Sequence, residues 1–222
     1  MDRTSRIWFQ MIDELIDEVP RGRILDIGCG YGEIINYLQK RGEIFGLDVS
    51  FERLRQASKH GQTVLGDSRC LPFCDGQFDV VISGFVLHHM ENYREALSEM
   101  HRCLKADGYL VLIESVENNL LFRLGRTMFR RRDGLLILSR YTYEEFVETL
   151  REVNFTLARE KRFYIGTGLG PTYLGLSSLI PLTDRIDEMI ETVIGTRYCL
   201  TYVCVARRLE PCSTQQTQQI GR

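Results

Sequence analysis

The sequence predicts an α/β protein in which a mostly parallel β-sheet carries helices on both faces. Short apolar runs alternate with amphipathic helical patterns through the first half of the chain. A glycine-rich turn follows the first apolar run directly, as at the start of a strand-helix-strand unit. The two strand patterns near the end of the chain lack a crossover like the earlier ones, which indicates that the last strand runs antiparallel.

Composition favours one globular domain. The chain has 222 residues, of which 44% are hydrophobic and 26% charged, enough to bury a sizeable core. We expect this domain to span residues 1–210, with a disordered tail at 211–222, where apolar periodicity is lost. The formal net charge of -2 provides no basic field that would hold nucleic acid by its phosphates.

The cysteines and the apolar runs indicate the cellular compartment. The seven cysteines include no Cys-x-x-Cys pair, so the sequence predicts neither a metal site nor a disulfide framework. The first residues lack the apolar core of a secretion signal, and no apolar run is long enough for a transmembrane helix. Reduced thiols then favour a cytoplasmic protein.

The glycine-rich turn indicates a ligand site. The apolar run 24–27 predicts a buried strand, and Gly28, Gly30 and Gly32 follow it at the start of a helical pattern. Without Cβ atoms these residues allow a tight turn and close approach of a nucleotide-type ligand to the exposed N–H groups of a helix start. A dinucleotide fingerprint would have glycine where Glu33 stands, which counts against NAD and FAD.

Two further carboxylates follow predicted strands. Asp48 ends the run 44–47, twenty residues after Gly28, and a carboxylate there can accept both hydroxyls of a ribose. Asp67 follows the short strand 63–65 and could accept the exocyclic amine of an adenine. It could equally be a turn aspartate that bonds its own backbone.

The fourth strand brings further candidates to the same edge. The run 78–83 is mostly apolar, as a central parallel strand must be, and Ser83 and Gly84 lie at its carboxyl end. Open α/β sheets bind ligands in the crevice beyond these ends. His88 follows at once, and it could act as a base, orient a substrate or simply pack.

These motifs carry a resemblance that extends over residues 24–114. The Gly-Cys-Gly-Tyr-Gly turn, Gly-Asp-x-x-x-Leu-Pro-Phe, Phe-Asp-x-Val, Leu-His-His and Leu-Lys-x-x-Gly-x-Leu occur in this order. Together they resemble the class I S-adenosylmethionine-dependent methyltransferases, in particular the branch that includes the ubiquinone and menaquinone biosynthesis methyltransferases. The resemblance implies a Rossmann-like, seven-stranded sheet with an antiparallel last strand, and S-adenosylmethionine as the cofactor.

The resemblance also implies a set of cofactor-contacting residues, which hold the methionine end, the ribose, the adenine and the pocket floor in turn. They are Asp26, Gly28, Cys29 and Gly30 for the methionine end, Asp48 for the ribose, Asp67 and Ser68 for the adenine, and Ser83 and Gly84 for the floor, and Val49 completes the set. Asp26 could instead have the structural role of orienting the turn. His88 is the candidate for catalysis, and no metal is implied.

Two segments interrupt the alternation of strands and helices. We expect lid-like insertions at about 118–140 and 166–195. The arginine-rich stretch 123–132 could be a solvated surface or could meet an anionic substrate or a lipid headgroup. These features favour a small, hydrophobic, lipid-like acceptor. Its identity, the atom that is methylated and the oligomeric state stay open.

Two other classes of protein are compatible with parts of the pattern. A nicotinamide-dependent oxidoreductase would share the glycine turn and Asp48, although Glu33 and the antiparallel last strand argue against it. A non-catalytic interaction protein could keep the cofactor pocket without turnover.

Overall fold

A computed structural model describes residues 22–40, 42–116, 141–163 and 201–209, together with isolated helical positions. These positions are Phe9, Ile12, Asp13, Leu182, Arg185, Ile186, Met189 and Thr192. The predicted lid at 118–140 and the tail at 211–222 lie outside the described residues, as does the second lid at 166–195 apart from those positions. Within the described residues, no helix is both long and apolar enough to cross a bilayer.

Seven strands of the described residues form one sheet, in the order β3-β2-β1-β4-β5-β7-β6. They are β1 Arg23–Ile27, β2 Glu43–Asp48, β3 Gln62–Leu65, β4 Phe78–Gly84, β5 Leu104–Ser115, β6 Phe155–Phe163 and β7 Thr201–Arg208. Neighbours from β3 to β5 pair in parallel, whereas β7 is antiparallel to both β5 and β6. The predicted fold class is therefore confirmed, with the antiparallel last strand inserted one place inside the edge.

The described helices are α1 Glu33–Leu38, α2 Phe51–Ala57, α3 Tyr93–Cys103 and α4 Tyr143–Glu152, and a short 3-10 turn spans Leu87–His89. Ser50 caps α2 by accepting a hydrogen bond from the Arg53 N–H. Thr142 and Glu145 form a reciprocal capping box at the start of α4.

Two apolar cores lie on opposite faces of the sheet, because successive strand residues point in opposite directions. Leu25 and Ile27 of β1 join a core with residues of α3 and α4. Ile24 belongs to the other core, with residues of α1 and α2. Helices therefore cover both faces, and the ligand-binding crevice can form only at the edge where the parallel strands end.

The described residues that flank the two predicted lid segments lie at this edge. The described chain leaves β5 through Val116 and resumes at Tyr141, whose hydroxyl donates to the carboxylate of Glu114 at the end of β5. In the antiparallel part, Thr201 pairs with both Ser115 and Phe163. These flanking residues therefore lie at the carboxyl ends of the parallel strands.

Candidate functional site

The site lies where the strand order reverses. From β1 the chain builds β2 and β3 on one side and then returns to place β4 on the other side of β1. The loops that follow β1 and β4 therefore diverge and leave a crevice between them, the usual ligand site of an open α/β sheet. The residues predicted from the sequence collect around this crevice.

The glycine turn is held tightly against both neighbours of β1. The Gly28 and Cys29 N–H groups donate to the Leu47 carbonyl of β2 at 2.7 and 3.0 Å. Gly28 has a φ of +69°, and a Cβ there would lie 2.2 Å from Cγ2 of Val86, which follows β4. Only glycine combines this left-handed backbone with so close a contact.

Asp48 at the end of β2 fixes the shape of this turn. Its carboxylate is buried and accepts from the Gly30 N–H at 3.0 Å and from the Ser50 N–H at 2.8 Å. Each carboxylate oxygen has lone pairs beyond the one used here. Asp48 can therefore stabilise the turn and still accept a hydrogen bond from a ligand.

Among the described residues, two buried polar atoms near the ends of β1 and β4 find no hydrogen-bond partner. They are Oδ2 of Asp26, which is 1% exposed, and Oγ of Ser83, which is fully buried. Burial, and secondarily the negative charge of Asp48, raises the pKa of Asp26 well above its ordinary value. A ligand that brings a positive donor would supply what these residues lack, since unsatisfied buried polar groups are costly.

The loop after β3 contains Asp67 and Ser68. The Asp67 carboxylate is partly exposed and is engaged by Arg69, whose guanidinium lies 2.6 Å away. The hydrogen bonds from Arg69 lower the pKa of Asp67. Ser68 is buried, with its hydroxyl 3.6 Å from Sδ of Met90, so this loop contacts the segment that follows β4. The sequence analysis did not anticipate the pairing of Asp67 with Arg69.

Other predicted residues have distinct surroundings. The Val49 side chain is 73% exposed and presents an apolar surface beside Asp48. Burial raises the pKa of the Cys29 thiol to about 12, so this cysteine stays protonated and is no nucleophile. Gly84 ends β4 opposite Ile113 of β5. Among the described residues, no cluster of side chains could hold a metal ion.

His88 belongs to a buried polar cluster that the sequence analysis missed in part. Its Nδ1 atom lies 2.8 Å from Oε2 of Glu114, a fully buried residue at the end of β5. Glu114 also accepts from the N–H groups of Val86, Leu87 and His88 at 2.9 to 3.3 Å. The Tyr141 hydroxyl donates to Oε2 of Glu114 at 3.2 Å.

A sequence signal for Glu114 existed. It is a lone carboxylate directly after the apolar run 109–113, the same pattern that identified Asp48 after its strand. For Tyr141 no comparable signal existed, because only the tertiary fold brings it back to the end of β5.

Comparison with known proteins supports one family. Residues 25–112 match the family described as Methyltransferase domain. The chain is 29% identical over 188 residues to demethylmenaquinone methyltransferase of Thermotoga maritima, which covers 73% of this chain and 82% of that protein. Together these matches support a class I S-adenosylmethionine-dependent methyltransferase.

One further relative is similar over a shorter part of the chain, and one solved structure is similar in its fold. Over 107 residues the methyltransferase is 35% identical to human mitochondrial Arginine-hydroxylase NDUFAF5, covering 45% of this chain and 31% of that protein. It resembles the crystal structure of an S-adenosylmethionine-dependent methyltransferase from Mesorhizobium loti at 19% identity. That comparison has a TM-score of 0.66 and covers 90% of this chain and 97% of the other, which shows the fold.

The unpartnered atoms of the site fit the cofactor of this family. S-adenosylmethionine carries an ammonium group, a ribose and an adenine, but no pyrophosphate. The methyltransferase accordingly offers a buried carboxylate oxygen without a partner at Asp26 and a buried carboxylate at Asp48 that keeps acceptor capacity. These are acceptor groups, which match the donors of the cofactor.

Proposed function

We propose that this methyltransferase binds S-adenosylmethionine along the carboxyl ends of β1 to β4 and methylates a small, hydrophobic, lipid-like acceptor that carries a ring hydroxyl. The observation that carries the cofactor part is the unpartnered Oδ2 of Asp26 beside the glycine turn. The similarity to a demethylmenaquinone methyltransferase supports the acceptor part. We assign this activity to a single domain over residues 1–210.

The proposal gives each residue of the site a contact. Asp26 accepts from the cofactor ammonium, and the turn with Gly28, Cys29 and Gly30 passes close to its methionine portion. Asp48 accepts from the ribose hydroxyls, with Val49 packing beside it. Asp67 and Ser68 contact the adenine. Ser83 and Gly84 form the floor of the pocket.

When bound, the cofactor would supply a methyl group activated by its sulfonium, with the sulfur keeping the bonding pair as a nucleophilic electron pair of the acceptor forms the new bond. The protein must align the acceptor and remove its proton. We assign proton removal to His88, because its turn, Leu87–His89, directly follows Val86, whose side chain lies beside Gly28 of the glycine turn.

The acceptor side of the proposal includes the two lid segments. The described residues that flank these segments lie at the edge of the sheet that carries the site. Apolar residues with arginines at 123–132 would give the first segment a surface suited to an amphipathic acceptor.

Ligand-induced thermal stabilisation tests the cofactor assignment. We expect S-adenosylmethionine and S-adenosylhomocysteine, but not NAD, to raise the melting temperature. A ligand at one hundred times its dissociation constant adds about 2.7 kcal/mol to the free energy of unfolding. The Asp48→Ala variant should show a much smaller shift. Stabilisation by NAD alone would reject the assignment.

Methyl transfer to a defined probe tests the acceptor assignment. The probe is 1,4-naphthohydroquinone with a short isoprenoid side chain, kept reduced under anaerobic conditions and supplied with tritium-labelled S-adenosylmethionine. We expect label in the organic extract. Failure to label this probe by a protein that binds S-adenosylhomocysteine would reject the quinol-like acceptor and leave the cofactor site standing.

A further inference from the structure

We infer that Glu114 is a positioning residue that holds the His88 imidazole in the tautomer able to take a proton from the acceptor hydroxyl. The inference rests on the proposed function, since it explains how the assigned proton acceptor is prepared. It concerns residues beyond the cofactor contacts, beside the core that contains α3 and α4.

The surroundings of Glu114 consist of hydrogen-bond donors. Oε1 accepts from the Val86 and Leu87 N–H groups at 3.0 and 2.9 Å, and Oε2 accepts from the His88 N–H at 3.3 Å. These are successive N–H groups at the start of the 3-10 turn Leu87–His89. The Glu114 carboxylate therefore satisfies the N–H groups at the start of this turn. It thereby fixes the position of the His88 backbone.

The remaining contacts of Oε2 determine the imidazole tautomer. Nδ1 of His88 lies 2.8 Å from this oxygen, so Nδ1 carries a proton that it donates to Glu114. The lone pair of the neutral ring is then on Nε2. Burial and the Glu114 charge raise the pKa of Tyr141, which keeps its hydroxyl protonated as a second donor to Oε2.

Within this cluster of titratable groups, His88 has the role of the base. The titratable groups that face it are Glu114 from β5, Tyr141 from the segment before α4, and His89 from its own turn, with ring centroids 4.2 Å apart. Partial burial lowers the pKa of His89 below its ordinary value. Proton transfer then proceeds from the acceptor hydroxyl to Nε2 of His88, and the electron pair stays on the acceptor oxygen.

A Glu114→Gln variant reverses the tautomer in this arrangement. Its amide oxygen must occupy the Oε1 position, where two backbone N–H groups donate. The amide nitrogen then faces Nδ1 of His88 and donates to it, so the ring proton moves to Nε2, which can no longer accept one. A Tyr141→Phe variant is the matched control, because it removes one donor and keeps the carboxylate.

Nitrogen-15 NMR of histidine-labelled protein in complex with S-adenosylhomocysteine reads the tautomer without any acceptor. We expect the proton on Nδ1 in the unmodified protein and in Tyr141→Phe, and on Nε2 in Glu114→Gln. An Nε2 proton in the unmodified protein overturns the inference, whether or not the variant folds. This readout is independent of the acceptor assignment.

Turnover of the naphthohydroquinone probe supplies the second readout. We expect Glu114→Gln to lower kcat by about 100-fold, with the dissociation constant of S-adenosylhomocysteine unchanged, and Tyr141→Phe to retain most of the activity. Unchanged kcat in Glu114→Gln overturns the inference, whereas no labelling by the unmodified protein rejects only the quinol-like acceptor.

Discussion

Two buried carboxylates at the same edge of the sheet have opposite surroundings. Glu114 accepts from three backbone N–H groups, an imidazole and a phenol, all at 3.3 Å or less. Among the described residues, one oxygen of Asp26 has no partner, and burial raises the pKa of Asp26. The described residues therefore satisfy the Glu114 carboxylate fully and leave the Asp26 carboxylate with acceptor capacity for a ligand. The difference separates a carboxylate that the fold uses from one that the fold leaves available.

Removal of the Glu114 carboxylate, which accepts five hydrogen bonds within the protein, should have the largest effect on stability. Glu114→Ala leaves three backbone N–H groups and the His88 and Tyr141 donors without their acceptor. We expect the free energy of unfolding to fall by about 3–5 kcal/mol, measured by urea denaturation. A loss below about 1 kcal/mol would show that water can replace this carboxylate and would remove the contrast with Asp26.

A pair of glycine variants tests the close packing of the glycine turn. Gly28→Ala suffers both a left-handed backbone and a contact with Val86 Cγ2 at 2.2 Å, whereas Gly30→Ala suffers the backbone cost alone, with its nearest neighbour 4.0 Å away. We expect Gly30→Ala to cost about 1–2 kcal/mol and Gly28→Ala clearly more. Calorimetric affinity for S-adenosylhomocysteine should fall further in Gly28→Ala, and equal effects would contradict the close packing.

The unpartnered carboxylate predicts a distinctive dependence of stability on pH. The pKa of Asp26 is raised in the folded protein, so the folded state binds more protons than the unfolded state between the ordinary and the raised pKa. Stability should therefore fall with rising pH in this window, with a slope of up to about 1.4 kcal/mol per pH unit.

Asp26→Asn provides the matched measurement. Urea denaturation across that window should show that the variant lacks this fall and is at least as stable as the original protein at neutral pH. Its affinity for S-adenosylhomocysteine should nevertheless drop by about tenfold or more, since the ammonium loses a charged partner. Lower stability together with unchanged affinity would assign Asp26 a structural role like that of Glu114.

The ion pair in the loop after β3 should give the smallest effect. Both side chains of the Asp67 and Arg69 pair are substantially exposed, and such pairs contribute little to stability. We expect Arg69→Ala to leave the thermal melting temperature unchanged and to alter the affinity for S-adenosylhomocysteine by only a few-fold. Asp67→Ala in the same titration should weaken binding more strongly than Arg69→Ala if Asp67 contacts the adenine.

Much of the fold could be predicted because the signals were local. Alternating apolar runs and helical stripes predict the strands and helices, and the Thr-x-x-Glu spacing of Thr142 and Glu145 predicts the capping box that starts α4. The Asn-x-x-Glu spacing of Asn92 and Glu95 predicts a similar box at α3, and this prediction is wrong. The Asn92 side chain does not cap the backbone of α3, and its amide donates to the Glu95 carboxylate instead. The apolar run 109–113 predicts a strand that in the structure already begins at Leu104.

The sequence by itself determined the fold class and the glycine turn with Asp48, because each depends on residue types at short, regular spacings. Only the tertiary structure decided that Oδ2 of Asp26 is left without a partner, and that residues 26 to 27 apart in the chain converge on Glu114. Such contacts depend on strand order and on the path of the intervening segments, since a side chain's partners are set by proximity in space. The chemistry of the site follows from those contacts.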